Sequence, residues 1–245
     1  LGDWEPPLGT RSACILIAIA RLAACAADPV GSAHINVTRT LALIDRLIAR
    51  NIHVLFLSTN QVFDGLTPHV RADAPTCPVS EYGRQKARVE AALQRYRNQG
   101  ASVAILRLGK VVSPVVPLIG GWIEALTAGR PIQAFHDMPM APTPIDLVTR
   151  AVAALMGDRS GGIYQLTGPR DATYAEIGRF LAGRIGADPK LVMELSARDA
   201  GLPEGATPRH TTLDSSALRD RYDIQAPDIW SIIEQMLAAK TVTDK

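Results

Sequence analysis

The sequence predicts an α/β protein built on a doubly wound parallel sheet. Two observations carry this. Short apolar runs rich in β-branched residues alternate with long amphipathic segments, the order that builds a parallel sheet with helices on both faces. The longer segments also repeat their apolar residues with a helical rhythm. Ile35, Leu41, Ile44, Leu47 and Ile48 recur every three or four positions in the first of them.

Taken in order, residues 14–20 form an apolar run that predicts the first strand. Residues 32–50 predict a helix, and residues 54–58 a buried strand. Residues 80–98 read as a second helix and residues 103–108 as a third strand. The texture then changes. Pro114, Pro117, Pro131, Pro139, Pro142 and Pro144 crowd the stretch 113–144, which suits loops and short strands outside the main sheet. Within it, residues 118–129 predict a helix stopped at Gly129-Arg130-Pro131. A helix over 145–156, stopped at Gly157-Asp158, and a strand over 162–166 resume the alternation. Helices over 174–185 and 228–239 complete the chain, with an exposed loop at 201–208 and another loop at Leu1-Gly2-Asp3-Trp4. The expected domains are a sheet domain of residues 1–112 and 143–168 and a smaller one of 113–142 and 169–245.

Composition narrows the function. A chain of 245 residues buries a substantial core, and 47% hydrophobic with 20% charged residues is an ordinary globular mix. A net charge of +2 with scattered arginines makes no electrostatic case for nucleic acid. Cys14, Cys25 and Cys77 are too few and too irregular for a disulfide framework or a zinc site, so reduced thiols and a cytoplasmic location are expected. Residues 13–27 read ACILIAIARLAACAA, and Leu22-Ala23-Ala24-Cys25 is similar to a lipoprotein cleavage box. Arg21 interrupts the apolar run, which also falls short of the ~20 residues a membrane span needs. A buried strand and loop is the expectation there, and no membrane partner.

The chemistry concentrates in two stretches, Ser58-Thr59-Asn60-Gln61-Val62-Phe63-Asp64-Gly65 and Tyr82-Gly83-Arg84-Gln85-Lys86. Residues four apart on a helix share a side, so Tyr82 and Lys86 face one pocket. A free phenol titrates near ~10, and a neighbouring ammonium is expected to lower that value. Thr59 sits just past a strand, at the carboxyl end where open α/β sheets bind ligands. Its hydroxyl could hold a carbonyl while Tyr82 gives a proton. The hydride must come from a cofactor, since no side chain carries one.

These motifs resemble those of the extended short-chain dehydrogenases/reductases, and among them the dTDP-4-dehydrorhamnose reductase group. The resemblance runs through residues 23–36 (AACAADPVGSAHIN), 58–65 (STNQVFDG), 81–90 (EYGRQKARVE), 105–112 (ILRLGKVV), 142–154 and 161–168 (GGIYQLTG). It implies a Rossmann-like cofactor domain joined to a substrate domain. It implies reduction of a nucleotide-linked 4-keto sugar with NADP or NAD. Thr59 would polarise the carbonyl, with Ser58 beside it as the second candidate. Tyr82 would be the general acid, and Lys86 would bind the nicotinamide ribose and tune Tyr82. Ala18, Ala20, Asn36 and Ser58 would border the cofactor, and Asn60, Gln61 and Lys110 the sugar nucleotide. The group usually reads Ser-Thr-Asp-Tyr-Val-Phe where this chain has Asn60 and Gln61, and a tryptophan can stand where it has Lys110, so the substrate surface differs.

One expected part is absent from this sequence. A glycine-rich turn at a helix N-terminus holds the pyrophosphate of dinucleotides, and neither G-x-G-x-x-G nor G-x-x-G-x-x-G occurs. The resemblance places that unit upstream of Leu1, so a complete relative is expected to extend some tens of residues further. The choice between NAD and NADP lies in that unit. A rival reading stays open: a non-catalytic binding subunit like the regulatory subunit of methionine adenosyltransferase, which shares the group's fold.

Other features have plainer readings. His34, His53, His69, His136 and His210 show no metal spacing, and no metal site is expected. Asp64-Gly65 reads as a turn. Asp137 and Asp146 could touch substrate, and Asp146 equally suits a helix first turn. Trp122, Tyr164 and Trp230 read as packing residues. Arg107 anchors either a strand end or a phosphate. Ile232, Ile233, Met236 and Leu237 form an apolar helix face, core by default and the candidate seam of a homodimer.

Overall fold

The computed structural model describes residues 4–113, 117–202 and 207–243. The loops expected at 1–4 and 201–208 fall partly outside the described residues. The chain opens with strand β1 (Ser12–Ile15) and a non-helical segment, then α1 (Leu22–Ala27), α2 (Pro29–Ala33), a π-helical turn (His34–Arg39) and α3 (Thr40–Ala49). Strand β2 (His53–Thr59) leads through a 3-10 turn (Asn60–Val62) and a loop to α4 (Glu81–Asn98) and β3 (Val103–Leu108). Ser80 caps α4, its Oγ accepting from the Gly83 amide at 3.1 Å, and Glu81 sits in the first turn where the dipole favours an acid.

The second half begins with β4 (Val111–Val112), α5 (Pro117–Thr127), β5 (Ile132–Phe135), β6 (Pro139–Met140) and β7 (Thr143–Pro144). Then come α6 (Ile145–Asp158), β8 (Gly162–Leu166), β9 (Ala172–Thr173) and α7 (Tyr174–Ile185). The chain continues through β10 (Val192–Leu195), α8 (Ser216–Tyr222) and α9 (Ile229–Thr243). A reciprocal capping box, Thr173 with Glu176, starts α7.

The main sheet is wholly parallel in the order β1-β2-β3-β8. Its alternating residues separate two cores. Val54, Phe56, Val103 and Ile105 meet α3 and α4 through Ile44, Leu47, Val89 and Leu93. Leu55, Ala104, Leu106 and Leu166 meet α6 and α8 through Leu147, Ala151, Leu155 and Leu218. Burial on both faces is what near-continuous apolar strands of a parallel sheet require. A third core joins α5, α7, α9 and the parallel pair β5–β10, with Trp122 set edge-on to Tyr174 at 6.1 Å. The segment through Leu218, Ile224 and Ala226 packs back on the sheet, so residues beyond 169 contribute to both lobes.

Several expectations change. The first strand stops at Ile15 rather than running to residue 20, because the backbone of Ile19 bonds to a side chain, Asn36, instead of a neighbouring strand. The helix expected over 32–50 is present without a gap but changes to π winding over His34–Arg39. The cleavage-box look-alike lies inside α1, with Cys25 buried. Ile232, Ile233 and Met236 are buried in the third core and Leu237 packs against it, so the chain itself covers the face offered as a dimer seam. Among the described residues, no helix is long and apolar enough to cross a membrane.

Candidate active site

Strand alternation sends Ser58 and Thr59 to opposite sides of β2. Ser58 takes the α4 side, where its Oγ donates to Glu90. That hydroxyl is therefore committed, and Thr59 alone offers a side chain to the cavity. Thr59 Oγ1 accepts from the Gln61 amide at 3.2 Å and lies 3.3 Å from Asn60 Oδ1.

Along α4, Tyr82, Lys86 and Glu90 follow at four-residue spacing on one side. The buried Lys86 Nζ donates to the Leu57 carbonyl at 2.7 Å, one of its three N–H bonds. It lies 4.3 Å from the Phe56 ring centroid and 5.9 Å from that of Tyr82. Burial pulls the Lys86 ammonium down to about 8, and the Glu90 carboxylate partly offsets this. Tyr82 departs from expectation: burial pushes the phenol up to about 12, with no lowering by Lys86. At neutral pH Tyr82 thus keeps its proton and Lys86 largely keeps its charge.

Asn36 does not reach Lys86. Its Oδ1 accepts from Ile19 N at 2.7 Å, and its Nδ2 donates to Ile19 O at 2.9 Å and Gln85 Oε1 at 2.7 Å. Gln85 Nε2 passes the network on to Ser32 Oγ at 2.8 Å and Glu81 at 3.1 Å. Asn36 sits within the π turn, a device often found at functional sites. The network fixes the segment 16–21, which carries Ala18 and Ala20, against the catalytic-candidate helix.

A cavity of about 240 Å³ gathers Ala20, Thr59, Asn60, Gln61, Tyr82 and Lys110. Ala18, Asn36, Ser58 and Lys86 lie outside its lining. Leu22, Met138, Met140, Tyr174, Pro208 and Thr211 also line it, none expected from sequence. These arrive by long-range packing. Asp171 accepts from the Thr211 amide at 2.8 Å and His210 N at 2.9 Å from the backbone of Gly65 ties the same segment to the loop after β2. A similar hollow of about 260 Å³ lies beside His69, Asp214 and Arg219 but holds no part of this constellation.

Gly83 explains how the site closes. A Cβ there would stand 2.0 Å from the Gln61 carbonyl oxygen, so only glycine lets α4 touch the 3-10 turn beside Thr59. Gly83→Ala is expected to cost about 1–3 kcal/mol by urea denaturation, although alanine is the better helix former elsewhere. An unchanged or raised stability would show that the turn yields freely.

The remaining candidates resolve structurally. Arg107 is an anchor: its guanidinium meets Glu90 at 2.7 Å, both fully buried, and donates to Ala72 O and Gln165 Oε1 at 3.1 Å each. Glu90 was readable at four-residue spacing from Lys86; the Arg107 partnership was not. Asp137 is held by Ser196 and the Ala197 amide, which keep its carboxyl below its ordinary value despite burial. Asp64-Gly65 is a turn, with φ +70° at Gly65. Asp146 lies in the first turn of α6. Among the described residues, no three His, Cys, Asp or Glu side chains converge as for a metal ion.

The model of a family described as the RmlD substrate binding domain matches residues 17–242. A dTDP-4-keto-6-deoxy-D-glucose reductase of Streptomyces niveus is 29% identical over 186 residues, 74% of this chain and 62% of the relative. The match thus spans less than two thirds of that relative's length. The solved dTDP-4-dehydrorhamnose reductase of Bacillus anthracis, in complex with NADP, is similar with a TM-score of 0.81 and 16% identity, covering 94% of this chain and 80% of that one. A dTDP-glucose 4,6-dehydratase of Streptomyces venezuelae, with NAD and TYD bound, has a TM-score of 0.79 and 20% identity over 96% of this chain and 74% of that one. At these identities the solved structures share its fold.

Proposed function

The chain belongs to the RmlD substrate binding domain family, and on that premise we propose that it reduces a nucleotide-linked 4-keto sugar, with NADP or NAD in reduced form as the coenzyme. One observation carries the reading. Tyr82 lines the cavity, and its hydroxyl keeps its proton at neutral pH and has no hydrogen-bond partner among the described residues. A phenol so placed is a proton donor awaiting an acceptor.

The residues fit the nicotinamide end of such a coenzyme. Lys86 keeps two N–H donors beyond its bond to Leu57, enough for a ribose diol, and the small Ala18 and Ala20 sit on a segment clamped by Asn36. No glycine-rich strand-to-helix turn stands among the described residues, and none is assigned to the adenosine end. When bound, the coenzyme supplies the hydride. Tyr82 gives its proton to the carbonyl oxygen, and the Lys86 ammonium stabilises the phenolate left behind. Thr59 turns its O–H from Asn60 to hold the same oxygen.

The test is consumption of reduced coenzyme on adding nucleotide-linked 4-keto sugars. A protein that binds coenzyme yet turns over none of them would favour the binding-subunit reading. The pH dependence adds a second check. Activity should be level below about 8 and fall roughly tenfold per unit above it, as Lys86 loses its proton. Stability should move the other way. The folded value of Lys86 lies below the unfolded value of ~10.4, so the unfolded chain binds more protons across that window and Lys86 makes the fold more stable as pH rises through it. A thermal melt that collapses together with activity above about 8 would reject this account.

A further inference from the structure

We infer that Asp171 is a positioning residue for the substrate: its carboxylate fastens together two groups of cavity-lining residues that lie far apart in sequence. This rests on the reading of the Tyr82 cavity as a keto-sugar site. Among the described residues, every hydrogen bond of the Asp171 side chain comes from residues 210–212. Oδ1 accepts from the Thr211 amide at 2.8 Å and from Thr211 Oγ1 at 2.6 Å. Oδ2 lies 3.2 Å from His210 Nδ1 and 3.5 Å from Thr212 Oγ1. In return, the run 207–211 hydrogen-bonds among the described residues only to Asp171 and to the Gly65 carbonyl. That run supplies Pro208 and Thr211 to the cavity lining.

The second group hangs on the residues that follow Asp171. Strand β9 pairs antiparallel with β6, Ala172 opposite Met140, and the Tyr174 amide donates to Met138 O at 3.1 Å. Met138, Pro139, Met140 and Tyr174 all line the cavity. One carboxylate therefore joins the strand pair that bears them to the run that bears Pro208 and Thr211. The run is seated in turn on the loop after β2. His210 N donates to Gly65 O at 2.9 Å, and a Cβ at Gly65 would stand 2.3 Å from Pro208 Cβ. Asp171 itself lies outside the cavity lining and makes no hydrogen bond to Thr59, Tyr82 or Lys86. Its loss should loosen the hold on the sugar and leave the proton donor and the coenzyme residues as they are.

The experiment is steady-state kinetics beside calorimetric binding of a nucleotide-linked 4-keto sugar in the absence of coenzyme. Asp171→Ala leaves the amide of the buried Thr211 without its acceptor. It should raise both KM and the dissociation constant for the sugar about 10- to 100-fold, the worth of two or more hydrogen bonds, with kcat and coenzyme affinity each within about threefold of wild type. Asparagine keeps an acceptor for Thr211, so Asp171→Asn should recover most of the sugar affinity. Thr211→Val keeps the shape and loses only the 2.6 Å bond. It should weaken sugar binding about three- to tenfold, and it tests the inference even where the alanine variant does not fold. Unchanged sugar affinity in Thr211→Val and in a folded Asp171→Ala would overturn the inference. So would a parallel loss of kcat, coenzyme affinity and sugar affinity, which marks a general loss of structure. If wild type reduces keto sugars and the variants match it, the inference fails alone. If wild type neither binds nor reduces any of them, the inference falls together with the reading of the cavity.

Discussion

Tyr82→Phe is expected to lower kcat for keto-sugar reduction by about 10²- to 10⁴-fold, the usual worth of a positioned general acid. The substitution removes one oxygen and keeps the ring, so the half-buried packing of residue 82 persists. The lost hydroxyl has no protein partner among the described residues, so no buried group is orphaned by its removal. Affinity for the nucleotide sugar should change little, and the urea midpoint should hold. Steady-state kinetics beside calorimetric binding checks this. A kcat within threefold of wild type would remove Tyr82 from the chemistry, and the proposed reaction with it.

The second large effect concerns stability. Arg107→Met should cost about 3–5 kcal/mol, because it strands the Glu90 carboxylate where neither residue is more than 1% exposed. Arg107 donates to Glu90 through two nitrogens, to Ala72 O and to Gln165 Oε1, and its guanidinium lies 4.9 Å from the Phe63 ring. From β3 it thus ties β8 and α4 to the loop that follows Thr59. Glu90→Gln alone should also destabilise, and should in addition move the alkaline limb of activity to lower pH, since Glu90 holds the Lys86 proton in place. The double variant Glu90→Leu with Arg107→Met should recover part of the loss. Additive losses in the double variant would mean that the two side chains act separately.

How far the sequence reached follows from the range of each interaction. The strands over 103–108 and 162–166 were legible to the residue because both read as short, mainly apolar runs rich in β-formers. Tyr82, Lys86 and Thr59 were legible because helix spacing and a strand end are local facts. Ser58 was open to the same treatment: the period of a strand already says that Ser58 and Thr59 cannot both face the cavity. The π turn was invisible, since the apolar rhythm of residues 32–50 passes smoothly through it and its partner, Ile19, lies seventeen positions away. The pair β5–β10 was hidden too, one strand in a proline-rich stretch and the other only four residues long. The rest of the cavity lining was out of reach because Met138, Tyr174 and Pro208 come to the same cavity as Tyr82 only in three dimensions. The upward shift of the Tyr82 phenol was misjudged because spacing predicts a neighbour's charge but not how far water is kept out.

The π turn at residues 34–39 has a mechanical consequence. It holds one more residue than regular winding would, so everything before it is rotated by about 100° relative to α3. Removing a single residue there would let the coil tighten into one uninterrupted rod. The Asn36 carboxamide would then swing off Ile19, and residues 16–21 would lose the clasp that aligns them with Gln85 and the rest of α4. An insertion of the opposite length would be absorbed in the solvent-facing turn before β2 at no such cost, so tolerance to length changes should differ sharply over a few positions of one continuous helical stretch.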